Sequence, residues 1–109
     1  MPLATNKLAT NGSVQLLLEH PVTHPWGSLN IVASNVSGLG GAPGPIKFKL
    51  YITDAANPTD VDLVDPGAII PVDGRYELSC RLIRQGEKVF VEAPAGLSVR
   101  AELNLAIEE

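Results

Sequence analysis

The sequence is poor in cysteine, in positive charge and in aromatic residues. The single cysteine, Cys80, cannot form a disulfide within the chain, so the fold does not depend on an oxidising compartment. Eight lysines and arginines stand against twelve aspartates and glutamates, and the pI is near 5.0. A protein that binds nucleic acid through its phosphates needs a clustered basic face. We therefore expect no nucleic acid partner.

Long apolar runs are also missing. The most apolar stretches, such as residues 14–18, are far shorter than the roughly 20 residues that span a bilayer. The N-terminus lacks the charged start and the apolar block of about 7 to 15 residues that mark a signal peptide. We therefore expect no membrane partner. With 109 residues, of which 45% are hydrophobic, the chain can form one core and one domain.

Alternation of apolar and polar residues is the clearest structural signal in the chain. Residues 97–107 carry apolar side chains at odd positions, and residues 46–53 carry them at even positions, which predicts that Tyr51 points outward. In residues 75–83, four side chains share the inward side: Tyr76, Leu78, Cys80 and Leu82. A period of two predicts strands with one buried and one exposed face.

Turn residues divide the rest of the chain into further strands. We predict these at residues 13–19, 29–36, 68–72 and 88–92. Pro21 and Pro25 exclude a long helix after the first of them. Residues 65–67 fit a type II turn, and Asp73 with Gly74 is a preferred pair for a two-residue hairpin. Short connections between the last three strands favour antiparallel neighbours.

About seven strands without a convincing helix predict an all-β protein. Two antiparallel sheets packed face to face would bury the apolar sides, in an immunoglobulin-like or a jelly-roll β-sandwich. We expect residues 13–109 to form this single domain. Residues 1–12 are polar and small, so we expect an N-terminal arm that becomes ordered only along a neighbour.

No pattern of residues indicates catalysis or a metal. His20, His24 and Cys80 could supply three zinc ligands, but the prolines forbid the helix that would bring the two histidines together. Four side chains could offer oxygen ligands to calcium: Asp54, Asp60, Asp62 and Asp65. They lack the glycine and the closing glutamate of a calcium loop. Cys80 lies on the apolar side of its strand, where a thiol stays inert. We expect no enzyme and no cofactor.

Residues 29–102 resemble a family of small virion proteins of tailed bacteriophages. The resemblance rests on segments that come in the same order: residues 29–38, 46–53, 57–62, 70–74, 85–91 and 95–100. Its most specific parts are Gly-Glu-Lys-Val at residues 86–89 and Ala-Gly-Leu-Ser-Val-Arg at residues 95–100. The N-terminal third does not match, and the glycine-proline stretch at residues 40–45 is longer than the family's connection.

The resemblance implies a structural accessory protein of the virion, made in the host cytoplasm. The leading interpretation is a capsid decoration (cement) protein that forms a homotrimer on the head and stabilises it. The alternative is a collar, neck-fibre, baseplate or tail-fibre component, with a receptor- or glycan-binding role. Its partners would be further copies of this chain and capsid or tail proteins.

Candidate binding residues follow from these interpretations. The arm would contact the capsid through Leu3, Thr5, Asn6, Lys7 and Leu8. Trp26, the only tryptophan, lies in a predicted loop and is a candidate anchor for a partner, although use in the core is the other possibility. The candidate oligomer interface consists of Tyr51, Lys49 and Phe90.

Overall fold

The computed structural model describes residues 3–39 and 43–105. Within them lie eight strands: β1 (Leu3–Ala9), β2 (Val14–Glu19), β3 (Trp26–Asn35), β4 (Ile46–Thr53), β5 (Leu63–Ile70), β6 (Arg75–Arg84), β7 (Lys88–Glu92) and β8 (Leu97–Leu105). Two short 3₁₀ turns, Ser37–Leu39 and Asp60–Asp62, lie in the connections. The predicted all-β class is confirmed. No helix in the described ranges is long and apolar enough to cross a membrane.

The strands form two four-stranded antiparallel sheets. Sheet I has the order β1-β8-β3-β6, and sheet II has the order β2-β7-β4-β5. The first strand pairs with the last, the second with the seventh and the third with the sixth, down to the central pair β4 and β5. Nested pairing of eight strands in two sheets is the jelly roll, one of the two predicted types of sandwich.

Consecutive strands mostly change sheet, which corrects two expectations. The last three strands are not neighbours, because β6 and β8 belong to sheet I and β7 belongs to sheet II. Asp73 and Gly74 do not close a two-residue hairpin. The N–H of Gly74 donates to the carbonyl of Pro71 at 2.8 Å, and Asp73 has a φ of 63°. This turn carries the chain from β5 to β6 across a sheet spacing of only about 10 Å, which a short connection can span.

The inward faces of the two sheets form one core. The fully buried side chains include Leu17, Leu29, Ile31, Phe48, Leu50, Val89, Val91, Val99 and Leu103. The inward sides predicted for β4 and β8 are confirmed, and β4 has the predicted bounds. Two residues of β4 that were predicted to be outward, Tyr51 and Thr53, are nevertheless buried. Phe48 also packs against Tyr76 of β6, with 5.3 Å between the ring centroids.

Residues 3–9 form the edge strand of sheet I, whereas the sequence predicts an N-terminal arm that becomes ordered only along a neighbour. They pair with β8 along their whole length, from Leu3 opposite Asn104 to Ala9 opposite Ser98. Thr10 is also buried, and its hydroxyl donates to the carbonyl of Pro94 at 2.7 Å. An edge strand of this kind is held mainly by backbone hydrogen bonds, which leave no apolar pattern in the sequence.

A β-bulge in β6 reverses the side-chain alternation predicted for this strand. Ile31 lies opposite Leu78, but Leu29 lies opposite Arg81, so Ser79 and Cys80 share one position of β3. Cys80 has a φ of 57°, and its side chain is exposed, not buried as predicted. After the bulge Leu82 points outward and Ile83 takes the buried position. A bulge adds one residue to one strand, so the side chains beyond it point to the opposite face from the one that the alternation predicts.

The predicted turn at residues 65–67 is a second irregularity, and it lies inside a strand. β5 continues through it from Leu63 to Ile70, while its register with β4 shifts. The N–H of Gly67 donates to Oδ1 of Asp65 at 3.1 Å. The predicted strand at residues 68–72 is therefore the second half of a longer one.

Substitution of Gly27 should test how closely the core is packed. Gly27 is buried in β3, and a Cβ there would come 2.8 Å from Cδ1 of Leu103 and 3.0 Å from Nε2 of His20. We expect Gly27→Ala to lower the free energy of unfolding by about 1–3 kcal/mol, as overpacked cores do. Urea denaturation measures this effect.

Gly44→Ala is the matched control, because a Cβ at Gly44 would meet no atom within 4 Å. Its unfolding free energy should stay within about 0.5 kcal/mol of the parent. Equal effects of the two substitutions would contradict the packing described for Gly27.

Candidate interaction surfaces

The outer face of sheet I is polar and charged. Thr5 lies opposite Glu102 and Lys7 lies opposite Arg100 in the pairing of β1 with β8. Arg100 makes an ion pair of 2.9 Å with Glu102, whereas Lys7 makes none with the described residues. An open groove of about 280 Å³ is lined by Thr5, Asn6, Lys7 and Arg100. We call it the β1 groove, and Lys7 is the cation in it that makes no ion pair with the described residues.

The residues predicted for capsid contact divide between this groove and the interior. Thr5, Asn6 and Lys7 line the groove, but Leu8 is partly buried and packs against the core. Nδ2 of Asn6 is already used, since it donates to a carbonyl of β2 at 2.6 Å. Leu3 begins β1 and pairs through its backbone with β8. The structure therefore brings three of the five residues to one surface.

Trp26 lies at the far end of sheet I, away from the β1 groove. It is the first residue of β3, not part of a loop, and its side chain is 47% exposed. Leu82, which the bulge turns outward, is 55% exposed, and Arg84 lies opposite Trp26. Arg100 pairs with Val32, six residues further along β3, which is about 20 Å away. Sequence reasoning missed Leu82 because the bulge has no signature in the alternation.

The outer face of sheet II carries a row of apolar side chains across all four strands. The row consists of Leu16, Phe90, Tyr51 and Leu63, each opposite the next in register. We call it the apolar row. Tyr51 points outward as predicted, yet Tyr51 and Phe90 are only 5% and 7% exposed. The 3₁₀ turn Asp60–Asp62 contacts β4 beside them. Leu16, at the edge of the sheet, is 47% exposed.

A second open groove lies next to the apolar row. It has a volume of about 370 Å³ and is lined by Gly12, Lys47, Lys49, Glu92, Ala93 and Pro94. We call it the lysine groove. Lys49 lies opposite Glu92 in register, but neither Lys49 nor Lys47 makes an ion pair with the described residues. The predicted oligomer residues Tyr51, Lys49 and Phe90 therefore share one face of the sandwich.

Tyr51 links the apolar row to the lysine groove. Its hydroxyl donates to Oε1 of Glu92 at 2.8 Å. Burial of the phenol, the hydrogen bond to Glu92 and the charges of Glu92 and Asp60 together raise the pKa of Tyr51 to about 12. The pKa of Tyr76 is also raised, first by burial and then by the carboxylate of Asp65.

The residues weighed as metal ligands do not come together. His20 is fully buried beside Gly27, and its Nδ1 lies 2.9 Å from the carbonyl of Pro21. A carbonyl only accepts, so Nδ1 carries the proton, and Nε2 has no hydrogen-bond partner among the described residues. His24 lies in the turn after β2, and Cys80 lies in β6. Nowhere in residues 3–39 and 43–105 do three potential metal ligands converge.

No family model and no curated protein match the chain. A solved structure of Bacillus endospore appendages, described as a family of disulfide-linked pili, is similar at a TM-score of 0.52 and 8% identity, over 96% of this chain and 87% of that one. RmlC from Streptococcus suis in complex with dTDP-D-xylose has a TM-score of 0.40 and 9% identity, over 98% of this chain and 45% of that one. The first likeness confirms the fold alone, and the second is too weak to support an argument.

The raised pKa of Tyr51 predicts a loss of stability in alkali. An unfolded tyrosine ionises near pH 10, whereas the folded state keeps the proton on Tyr51 until about pH 12. The unfolded state therefore binds fewer protons in this interval, so the free energy of unfolding should fall as the pH rises from 10 to 12. Urea denaturation at several pH values measures it.

Tyr51→Phe should lower stability at neutral pH by about 0.5–1.5 kcal/mol, because the hydrogen bond to Glu92 is lost. The same variant should lose less stability than the parent above pH 10. If the stabilities of the parent and of the variant changed with pH in the same way, Tyr51 would have the same pKa in the folded and the unfolded states, and the prediction would be wrong.

Proposed function

We propose that this protein is a structural accessory protein of a tailed-bacteriophage virion, and specifically a decoration (cement) protein of the head. The resemblance of residues 29–102 suggests the class of protein. The observation that supports the role is the presence of two open grooves on opposite faces of the sandwich, the β1 groove on sheet I and the lysine groove on sheet II. A cement protein needs one surface for the shell and another for its own copies.

The two surfaces suit these tasks for different reasons. The β1 groove carries the unpaired Lys7 at the rim of a polar face, which suits a wet contact with shell subunits. The opposite face carries the lysine groove and the exposed side chain of Leu16, and apolar side chains are typical of contacts between identical subunits. A homotrimer is the assembly that the resemblance implies. No catalytic role and no cofactor form part of this proposal.

Stabilisation of the head would follow from mass action. A protein that binds the assembled shell but not its separate subunits lowers the free energy of the shell by RT ln(1 + [L]/Kd) at each site. Because residues 3–9 are an edge strand, the contact would use the face of β1 and not a free arm. Deletion of residues 1–12 would uncover β8, so a point substitution is the cleaner test.

Lys7→Glu should weaken binding to the head by roughly tenfold or more, because it reverses the charge at the β1 groove. Co-sedimentation with capsids assembled without this protein measures the affinity. The unfolding free energy should change by no more than about 0.5 kcal/mol, since Lys7 is exposed.

Lys88→Glu makes the same change of charge on sheet II and is the matched control. It should leave binding to the head unchanged. If both variants lost the same amount of affinity for the head, the loss would come from the change in net charge and not from the β1 groove. Failure of the parent protein to bind capsids at all would overturn the decoration role.

A receptor- or glycan-binding component of the tail, collar or baseplate is the second candidate. The observation that favours it is the exposed pair of Trp26 and Leu82 beside Arg84, because an aromatic ring with one open face can stack on a sugar. Trp26→Ala should then abolish binding to host cells or to a glycan array. The unfolding free energy should fall by less than about 2 kcal/mol, as Trp26 is only half buried.

Val22→Ala removes an exposed apolar side chain at the same end of the sandwich and serves as the control. It should leave glycan binding intact. A Trp26→Ala variant that is strongly destabilised but still binds would assign Trp26 to the fold.

A disulfide-linked polymer is not supported by the residues of this chain. Cys80 is exposed on the edge strand β6, but it is the only cysteine in the sequence. One thiol per chain can join two copies and no more, so a polymer linked by disulfides would need a second cysteine.

A further inference from the structure

The connection between β4 and β5 ends in a small acidic projection. The 3₁₀ turn Asp60–Asp62 places Val61 between two carboxylates, with Val61 91% exposed. The turn has a fixed shape, because the N–H of Thr59 donates to Oδ2 of Asp62 at 2.8 Å. We call this turn the acidic tip. An exposed apolar side chain on a well-ordered turn is suited to insertion into a groove.

The lysine groove has the complementary chemistry. Lys47 and Lys49 lie at its rim, while the carbon atoms of Gly12, Ala93 and Pro94 form part of its wall. Glu92 also lines it, but one oxygen of that carboxylate already accepts the hydrogen bond from Tyr51. The two ammonium groups have no ion-pair partner in the described ranges, and neither do Asp60 and Asp62 of the acidic tip.

The acidic tip and the lysine groove belong to the same face of the sandwich. The tip contacts β4 and leads directly into β5, the neighbour of β4 in sheet II. The groove lies on the other side of the apolar row, towards the start of β2 and the end of β7. Two complementary features on one surface cannot meet within a chain, but they meet twice when two copies pack face to face about a twofold axis.

We propose that two copies of this chain associate through the outer faces of sheet II, with the acidic tip of each copy in the lysine groove of the other. Leu16 is the exposed member of the apolar row, and this pairing would cover it, whereas Tyr51 and Phe90 are already buried within each chain.

This inference deepens the proposed function, as it names the surface through which the copies associate. It gives a pair in place of the homotrimer that the resemblance implies. The pairing is a property of the free protein, so its test needs no capsid and remains separate from the test of head binding.

Sedimentation equilibrium of the purified chain measures the association. The mass should rise with concentration from 11.5 kDa towards twice that value. Lys47→Glu and Asp60→Lys should each raise the dissociation constant at least about tenfold, because each places like charges together in both contacts. Val61→Ser should also weaken the pair, and none of these exposed side chains supports the core.

The double variant Lys47→Glu with Asp60→Lys restores opposite charges and should recover most of the parent's affinity. Lys7→Glu, which makes the same change of charge on sheet I, is the matched control and should leave the pair intact. These two results separate a specific contact from an effect of net charge.

Three outcomes would overturn the proposed pair. The first is a parent protein that stays monomeric up to about 1 mM, a concentration at which even weak pairs form. The second is an assembly, such as a trimer, that neither Lys47→Glu nor Asp60→Lys weakens. The third is a double variant no better than the single ones. Head binding by Lys47→Glu, measured in parallel, reports on the decoration role alone.

Discussion

Both sheets depend on the last two strands, because each of these strands lies between two strands that come earlier in the chain. β8 lies between β1 and β3, and β7 lies between β2 and β4, so neither sheet is continuous until the final third of the chain has arrived. Within the described residues, β4 and β5 are the one pair that is consecutive in sequence. A fold dominated by such distant pairings is expected to form slowly. The two inner strands of sheet I, β3 and β8, show the most regular alternation of burial.

Side chains at the edges of the sandwich link its two sheets and occupy part of the free strand edges. On one side Asn6 of β1 donates to the carbonyl of Leu17 in β2, and Gln15 of β2 donates to the carbonyl of Ala9 in β1. On the other side the carboxylate of Asp65 in β5 helps to raise the pKa of Tyr76 in β6. Unpaired edges are where foreign strands add to a sheet, and these bonds occupy part of them. A partner therefore meets the outer faces more readily than the edges.

The sequence predicts the parts of this fold that depend on regular alternation. Residues 46–53 and 97–105 became strands with the predicted inward sides, and the sandwich type was one of the two expected. The predictions fail where a backbone irregularity or a hydrogen bond determines the local structure. The bulge at Cys80 depends on an N–H that finds Oδ1 of Asn30, and β1 depends on its ladder with β8. Neither interaction leaves a periodic pattern in the sequence, because the bulge involves a single asparagine side chain and the ladder uses backbone groups that any residue can supply.

The candidate surfaces could also be predicted only where they depend on regular alternation. Tyr51, Lys49 and Phe90 came together because alternation and register suffice to place them on one face. The lysine groove includes Gly12 and Pro94, which lie in two connections at the end of the sandwich. The acidic tip is a turn that is held by a hydrogen bond to Asp62. Neither feature could be predicted from the alternation of residues in strands. The consequence concerns symmetry. A single face that carries both a cationic groove and an anionic tip is complementary to itself only after a twofold rotation, whereas a threefold ring must join two different surfaces. The arrangement of charge on sheet II therefore favours a pair over a ring.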